Sequence, residues 1–283
     1  MTEQEPVRFG VIADPQYADK EPGMGRDYRA SLGKLGSAVA SFNGRDLDFV
    51  VTLGDVIDEG WESFDAALEP YARLRAPAKF VLGNHDFAVP DALLGAVPGR
   101  LGLSRRYHDF ALRGTRFIIL DQTEVSVFAT PPGSPARHAA EARLATLKSA
   151  TAPNAESWNG GMSEAQLDWL GERLAAARAA GEAVVVFGHY PVNPGLRHAM
   201  WGAEALAGTL GRARHVLLYL AGHDHAGGLH MAGDLPCVTL EGMVETTDET
   251  AFAVVTMDAE RVRIEGCGRA TSRDLPRRAL QPV

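Results

Sequence analysis

Short apolar runs, separated by longer stretches of mixed polarity, dominate the pattern of this chain. Five of these runs are rich in Val, Ile, Leu and Phe and show no alternation of apolar and polar positions, which predicts strands buried on both faces. The five runs are Val7–Ala13, Phe49–Leu53, Lys79–Leu82, Ala183–Phe187 and His215–Ala221. Strands of this kind are typical of an α/β protein, in which helices cover the sheet.

Helical periodicity appears in four of the stretches between the strands. Ser163 and Gln166 form a capping box at the start of the third helix. The four predicted helices are Tyr28–Phe42, Glu62–Leu74, Glu164–Ala180 and Gly202–Gly211.

Turn signals predict antiparallel pairs in addition. Arg106–Leu112 and Arg116–Leu120 flank Arg113-Gly114-Thr115, which is a hairpin signal. Near the C-terminus, an antiparallel meander is predicted from Gly228–Ala232, Cys237–Leu240, Phe252–Met257 and Val262–Glu265, with turns at Gly233-Asp234 and Asp258-Ala259. The sheets are therefore expected to be mixed.

The composition is that of an ordinary globular protein and favours one domain. The chain has 283 residues, of which 46% are hydrophobic and 23% are charged. One stretch, Ala129–Asn154, is rich in Ala, Pro, Gly and Ser, and it interrupts the pattern between a strand and a helix. We interpret residues 1–283 as a single domain with an inserted loop at about 122–162, which contains a short helix around Ala139–Ser149.

Charge and hydropathy exclude several classes of partner. The net charge of −8 argues against a nucleic-acid groove, which needs clustered Lys and Arg. No apolar run approaches the roughly 18 residues of a membrane span, and Met1–Arg8 lacks the apolar core of a signal peptide. We therefore expect no membrane partner and a cytoplasmic location. An acidic protein still accommodates a small phosphate substrate where metal ions supply local positive charge.

Each of the five apolar runs ends at side chains that can bind a metal. In an α/β fold, strand ends that gather on one edge of the sheet form the site. The segments are Asp14-Pro15-Gln16, Gly54-Asp55, Gly83-Asn84-His85-Asp86, Gly188-His189 and Gly222-His223-Asp224-His225. Any one of them taken alone is explained by a helix cap or a structural histidine. Five in the same context predict a two-metal site.

The order D-x-[HQ], G-D, G-N-H-[DE], G-H, G-H-x-H resembles the calcineurin-like metallophosphoesterase superfamily, and the resemblance extends from Val7 to about Asp274. It implies a metallophosphoesterase fold, an α/β four-layer αββα sandwich of two mixed β-sheets flanked by helices, with a dinuclear metal centre. Three segments outside the metal motifs are similar to the manganese-dependent ADP-ribose/CDP-alcohol diphosphatases. They are Phe9–Asp14 with Gln16–Asp19, Trp158–Ser163 and Leu240–Thr246.

The resemblance implies a ligand set for two divalent cations. One metal would take Asp14, Gln16 and His225, the other would take Asn84, His189 and His223, and Asp55 would bridge both. Gln16 stands where the superfamily more often has His. Because an amide oxygen is a harder ligand than imidazole, manganese is favoured over iron or zinc.

The same resemblance implies the chemistry. A hydroxide that bridges the two metals would attack phosphorus in line, opposite the leaving oxygen. His85, with Asn84 and Asp55 as the other catalytic residues, would protonate the leaving group or stabilise charge on the phosphoryl oxygens. Alternatively, His85 only holds its loop. Asp86 and Asp224 are expected to orient neighbouring ligands.

Substrate contacts are predicted at Arg29, Asn159, Gly160 and Glu245. Arg29 would approach the non-reacting phosphate, or would instead form a surface salt bridge. Glu245 would bind ribose hydroxyls, or would brace its own loop. His198 and four other histidines are expected to be surface or structural residues.

The sequence therefore predicts a metal-dependent phosphohydrolase that cleaves the diphosphate of nucleoside diphosphate-linked compounds such as ADP-ribose or a CDP-alcohol. One alternative is a phosphodiesterase for cyclic nucleotides or glycerophosphodiesters. A less favoured alternative is a non-catalytic scaffold that binds proteins. Such a scaffold should have broken ligand positions, and this chain has none. The sequence leaves the oligomeric state open.

Overall fold

Two six-stranded mixed sheets form the centre of the computed structural model, which describes residues 5–278. The strands of the first sheet are β1 (Val7–Ile12), β2 (Phe49–Thr52), β3 (Ala78–Phe80), β10 (Ala251–Met257), β11 (Arg261–Gly268) and β12 (Arg273–Pro276), in the order β12-β11-β10-β1-β2-β3. β1, β2 and β3 are parallel, and the other three strands are added antiparallel.

The second sheet repeats this plan of a parallel centre with antiparallel edges. Its strands are β4 (His108–Leu112), β5 (Thr115–Ile119), β6 (Ala183–Phe187), β7 (Val216–Ala221), β8 (Gly228–Ala232) and β9 (Leu235–Thr239), in the order β4-β5-β6-β7-β9-β8. β5, β6, β7 and β9 run parallel, whereas β4 and β8 pair antiparallel with their neighbours.

The core between the two sheets is apolar and largely aromatic. Phe9 and Phe49 of the first sheet pack against Phe117 and Phe187 of the second, with ring centroids 5.0–6.3 Å apart. All four side chains are buried. The strand predictions therefore hold because both faces of the central strands are covered.

Helices cover the outer faces and complete the four layers. On the first sheet, Phe42 of α1 (Ser31–Asn43) stacks edge-on against Phe252 at 5.2 Å. On the second sheet, α5 (Glu164–Ala179) and α6 (Ala203–Arg212) bury Leu170 and Leu206 in one cluster with Val184. The remaining helices are α2 (Ser63–Leu68), α3 (Val97–Arg100) and α4 (Pro135–Ser149). The predicted αββα sandwich is thus confirmed.

Two predicted elements are wrong in detail. The helix expected at Glu62–Leu74 stops after α2, and a 3₁₀ turn at Pro70–Arg73 follows, because Pro70 has no N–H to continue the ladder. The expected C-terminal meander is divided between the sheets, since β8 and β9 form a hairpin in the second sheet while β10 and β11 pair in the first. Residues 240–250 cross from one sheet to the other.

The stretch at 122–162 contains a longer helix than predicted. α4 begins at Pro135, and the Ser134 hydroxyl accepts the Arg137 N–H at 3.2 Å as an N-cap. Leu144 packs against Trp201, which anchors the helix to the second half of the chain. The assignment of residues 1–283 to a single domain stays a prediction. Across residues 5–278, no helix has both the length and the apolar character that a bilayer crossing requires.

Candidate active site

Seven side chains converge where strands of both sheets end. Asp14 follows β1, Asp55 follows β2 and Asn84 follows β3, while His189 follows β6 and His223 follows β7. Gln16 and His225 lie two residues beyond Asp14 and His223. Because the carboxyl ends of the parallel strands in both sheets lie at the same edge, residues far apart in sequence meet there. These seven residues are called the floor below.

The backbone of the floor adopts an uncommon conformation. Eight non-glycine residues between positions 5 and 278 have a positive φ angle, and four of them belong to the floor: Asp14 at 50°, Gln16 at 44°, Asp55 at 53° and His223 at 65°. Such residues persist where surrounding contacts hold them, and they cluster at functional sites. Here the His223 N–H donates to the Asp14 carboxylate at 2.9 and 3.1 Å, and the Gln16 N–H donates to the Asp55 carbonyl at 2.8 Å.

The three imidazoles of the floor share one arrangement, in which one ring nitrogen faces an acceptor from the protein. The pairs are His189 Nδ1 with the Leu53 carbonyl at 2.7 Å, His223 Nε2 with Asn159 Oδ1 at 3.1 Å, and His225 Nδ1 with Glu245 Oε1 at 2.7 Å. An acceptor at one nitrogen fixes the proton there and leaves the other nitrogen free to bind a metal. The donor set therefore fits divalent cations.

The spacing of the donor atoms supports the same conclusion. Adjacent ligands of an octahedral cation at about 2.1 Å are about 3 Å apart. His189 Nε2 lies 3.0 Å from Asn84 Oδ1 and 3.4 Å from Asp55 Oδ2, and Asp55 Oδ2 lies 3.0 Å from Gln16 Nε2. Donor atoms of Asp55, His189 and His223 all fall within 4.8 Å of one another. Asp55 stands between the two predicted ligand groups, as a bridging carboxylate would.

Gln16 presents its amide in an orientation that the sequence did not predict. Nε2 faces Asp55 and also His225 Nε2 at 3.2 Å, whereas Oε1 accepts from Arg26 Nη1 at 3.4 Å. A half-turn of the amide would direct Oε1 toward a cation between Asp55 and His225. The rotation keeps the shape of the amide, but it turns Nε2 toward Arg26 Nη1, so Arg26 would have to release Gln16 when a cation binds.

Burial and opposite charge compete at the ionisable groups of the floor. Asp14 and Asp55 are fully buried. Burial raises the pKa of Asp14. Burial opposes the ionisation of Asp55 too, but the imidazoles of His189 and His85 hold its pKa well below the usual range. For His189, burial disfavours the proton, yet Asp55 raises the pKa to about 9. Such a concentration of buried acidic oxygens and imidazoles is suited to cations.

Two glycines permit the close approach of the chain segments that carry the floor. A Cβ at Gly83 would lie 2.2 Å from Asp55 Oδ1, and a Cβ at Gly222 would lie 2.5 Å from Asp14 Oδ2. Any larger residue at either position would displace a predicted ligand.

Asp86 and His85 support the floor from the side of β3. The buried Asp86 carboxylate accepts the N–H groups of Gly83 at 2.9 Å and Val56 at 2.8 Å, and it thereby holds two ligand loops together. His85 donates its own N–H to Asp55 Oδ1 at 2.8 Å, and its Nδ1 lies 3.0 Å from the Asp58 carbonyl oxygen. The imidazole of His85 is oriented by Asp58 and lines the cavity above the floor.

A family model described as calcineurin-like phosphoesterase matches residues 7–227, which contain every residue of the floor. The chain belongs to the calcineurin-like phosphoesterase family. It is a metal-dependent hydrolase with a dinuclear centre. In the floor, Asp55, His189 and His223 bring ligand atoms close enough together to hold a metal ion.

Relatives of this phosphoesterase match it over nearly their whole length. A protein of Danio rerio named manganese-dependent ADP-ribose/CDP-alcohol diphosphatase is 31% identical, over 94% of this chain and 97% of its own. The protein of that name in Arabidopsis thaliana is 29% identical, over 94% and 96%. A crystal structure described as a dimetal phosphatase from Danio rerio superposes with a TM-score of 0.84 at 30% identity, covering 95% of this chain and 98% of that one.

A cavity of about 720 Å³ opens above the floor of the phosphoesterase. Besides His85 and four floor residues, six of the residues that line it form what is called the rim below: Met24, Arg26, Phe87, Phe128, Trp158 and His198. The volume is within the range of roughly 300–1,000 Å³ that small-molecule sites occupy.

Of the four predicted substrate contacts, none lines this cavity. The structure places Arg29 in exposed ion pairs with Asp19 and Glu21, both at 2.6 Å. Asn159 is buried and contacts His223, and a Cβ at Gly160 would meet the Gln122 carbonyl oxygen at 2.4 Å. Asn159 and Gly160 therefore shape the site from beneath the residues that line the cavity.

Glu245 likewise contacts other residues of the protein and does not line the cavity. Its carboxylate holds His225 and accepts from Arg26 Nε at 3.2 Å. Arg26 lines the cavity, as Arg197 does, and neither arginine is among the substrate contacts predicted from the sequence. The turn Gly23-Met24-Gly25 immediately before Arg26 is the signal that could have indicated a projecting loop.

His198 was expected to be a surface or structural residue, and the structure places it in the rim. Its ring lies 5.4 Å from the ring of His223, and its Nδ1 lies 3.4 Å from Asp224 Oδ1. Nothing in the local sequence signals this position, because the segment 191–201 is brought to the cavity by contacts with distant loops. Asn159 Nδ2, for example, donates to the Arg197 carbonyl at 2.8 Å.

Proposed function

We propose that this phosphoesterase hydrolyses the diphosphate linkage of a nucleoside diphosphate-linked compound, such as ADP-ribose or a CDP-alcohol, to a nucleoside monophosphate and a phosphate ester. The observation that carries the proposal is the complete floor, in which all seven donors are present and close together. The name shared by full-length relatives at 29–31% identity supports the substrate class.

We infer that Asp14, Gln16 and His225 would hold one cation and that Asn84, His189 and His223 would hold the other, with Asp55 between them. Bound there, two cations would supply Lewis acidity toward the phosphoryl group and activate a water molecule. Manganese is the preferred ion in this proposal, because Gln16 would contribute a hard amide oxygen and the relatives are named manganese-dependent.

His85 is the residue proposed to protonate the leaving group. Its ring is fixed by the carbonyl and carboxylate of Asp58, at 3.0 and 3.2 Å from Nδ1, which leaves Nε2 available to the cavity. A proton delivered from Nε2 to the departing phosphate oxygen would lower the barrier to cleavage. If His85 only held its loop, its ring would not need to line the cavity.

The substrate is proposed to be a small molecule whose second phosphate lies toward the rim. Arg26 is held by Glu245 at 3.2 Å and offers its guanidinium at the cavity wall. Trp158, Phe87 and Phe128 supply apolar surface around the same cavity. A charge of −8 and scattered basic residues disfavour a nucleic-acid substrate.

Product analysis in isotopically labelled water tests this function. With ADP-ribose and Mn²⁺, we expect AMP and ribose 5-phosphate, and solvent oxygen on the phosphate of one of them. A trapped phosphoenzyme would contradict direct attack by water. Cleavage of cyclic nucleotides or glycerophosphodiesters, without turnover of any diphosphate-linked nucleotide, would instead identify the protein as a phosphodiesterase.

A further inference from the structure

Lys34, on α1, directs its ammonium group into the protein and toward four consecutive backbone carbonyls. The residue is 6% exposed. Nζ lies 2.9 Å from the carbonyl oxygen of Met243, 3.3 Å from that of Val244, 3.0 Å from that of Glu245 and 2.5 Å from that of Thr246. An ammonium has only three donors, so all of them are engaged by this one loop.

The loop that Lys34 holds is pressed against the floor on its other side. The N–H of Met243 donates to the Ala13 carbonyl at 2.9 Å, and the N–H of Val244 donates to the Asp14 carbonyl at 3.0 Å. The loop therefore lies between the buried ammonium of Lys34 and the backbone of Asp14, a predicted metal ligand. Its carbonyls point to Lys34 and its N–H groups point to the end of β1.

The same loop carries the acceptor that orients His225. Glu245 Oε1 lies 2.7 Å from His225 Nδ1, and a Cβ at Gly242 would meet the His225 ring at 2.5 Å. A carboxylate at one nitrogen fixes the ring and raises the basicity of the other nitrogen. Any displacement of residues 242–246 would therefore move both Asp14 and His225.

The other half of the floor has different supports. His189 is held by the Leu53 carbonyl, and His223 is held by Asn159. Among the described residues, the hydrogen bonds of the Lys34 ammonium go to residues 243–246 alone. The contacts of Lys34 thus lead directly to one of the two ligand groups, and they reach the other only indirectly, through the His223 N–H that donates to Asp14.

We propose that Lys34 is a positioning residue for the half-site of Asp14, Gln16 and His225, and that it acts through the loop 242–246 and the carboxylate of Glu245. The inference rests on the proposed two-cation site. Removal of the ammonium would release four carbonyls from a common donor and let Glu245 drift from His225. The affinity of one cation site should then fall while the other keeps its affinity.

Binding of Mn²⁺, measured without substrate by equilibrium dialysis and by the electron paramagnetic resonance signal of the free ion, tests the proposal. In Lys34→Met, one of the two sites should weaken roughly 10- to 100-fold, as for other groups that orient ligands, and the second should stay within about threefold. Lys148→Met, the same change at an exposed helical lysine, is the matched control and should bind as the parent does. Circular dichroism verifies that each variant is folded.

Two further variants keep the test decisive if Lys34→Met is poorly folded. Lys34→Arg keeps the charge but crowds the loop, so it should weaken the same site by less. Combining Lys34→Met with Glu245→Gln should cost less than the product of the two single effects, because both act through one carboxylate.

Equal weakening of both sites, or a lowered melting temperature with both affinities unchanged, would overturn the assignment and leave Lys34 as a structural brace. If the parent protein itself fails to bind two equivalents of Mn²⁺, the proposed two-cation site falls, and the inference falls with it for that separate reason.

Discussion

The floor and the rim of this cavity are built in different ways. The floor takes its seven donors from positions within four residues of strand ends, and several of them are locked by backbone contacts such as that of the His223 N–H with Asp14. The rim comes from loops and is held by side chains, as in the pairs Arg26 with Glu245 and His198 with Asp224. The strands thus place the donors of the floor, while the rim is carried by more variable segments that contact the floor through side chains, as Arg26 does with Gln16.

The largest effect is expected at the centre of the floor. Asp55→Asn removes the carboxylate charge between the two cations, so activity should fall by more than about 10²-fold, since even groups behind metal ligands are worth 10- to 100-fold. Metal content, measured by mass spectrometry after dialysis, should fall with it. Two retained equivalents of metal with near-normal turnover would show that Asp55 is not a bridge.

His85 lies between the floor and the rim. Its substitution distinguishes a loss of metal binding from a loss of proton transfer. His85→Ala should lower turnover by roughly 10²-fold or more while metal content stays nearly intact. The loss should shrink for substrates with good leaving groups, which need no proton. His189→Ala is the comparison variant and should lose metal. Parallel loss of metal in both variants would mean that His85 is a ligand or a brace.

Gln16 tests whether the floor tunes its metal. Gln16→His exchanges the amide for imidazole, so activity with zinc or iron should rise relative to activity with manganese, while the fold is retained. Activity ratios across the three metals are the measurement. An unchanged metal profile would place Gln16 outside the set of ligands.

The rim should give the smallest effects, and two neighbouring arginines make a matched pair. Arg26→Ala should raise KM by roughly tenfold, as expected for one lost hydrogen bond to a charged group, with kcat less affected. Arg29→Ala should leave KM within about twofold, since its exposed ion pairs contribute little. The reverse order would restore Arg29 as the substrate contact.

The difference between floor and rim also explains what the sequence could predict. Apolar runs that end at Asp14, Asp55 and His189 carry their own local signal, because a buried strand and a polar terminus are adjacent in the chain. The sheet change at residues 240–250 carries no such signal, so the predicted meander was wrong. Arg26 and His198 reach the cavity only through contacts between distant segments, and local patterns cannot encode these.

Arg278 shows the same limit at the C-terminal end of the described chain. Two adjacent arginines near the end of a chain, such as Arg277 and Arg278, are typical of a solvated tail. The side chain of Arg278 is instead 2% exposed and donates to the carbonyls of Val216 and Gly211, both at 2.7 Å. The segment after β12 of the first sheet is thereby fastened to the end of α6 and the start of β7 in the second.

The contact between Asp14 and His223 joins the two sheets across 209 positions of sequence. Closing so long a loop costs conformational entropy, which the contacts of the site help to offset. A ligand that binds only the folded state adds about 2.7 kcal/mol of stability at a concentration of 100 times its Kd. Resistance to proteolysis should therefore follow the supply of metal, and the lifetime of the protein would report on manganese as its catalysis does.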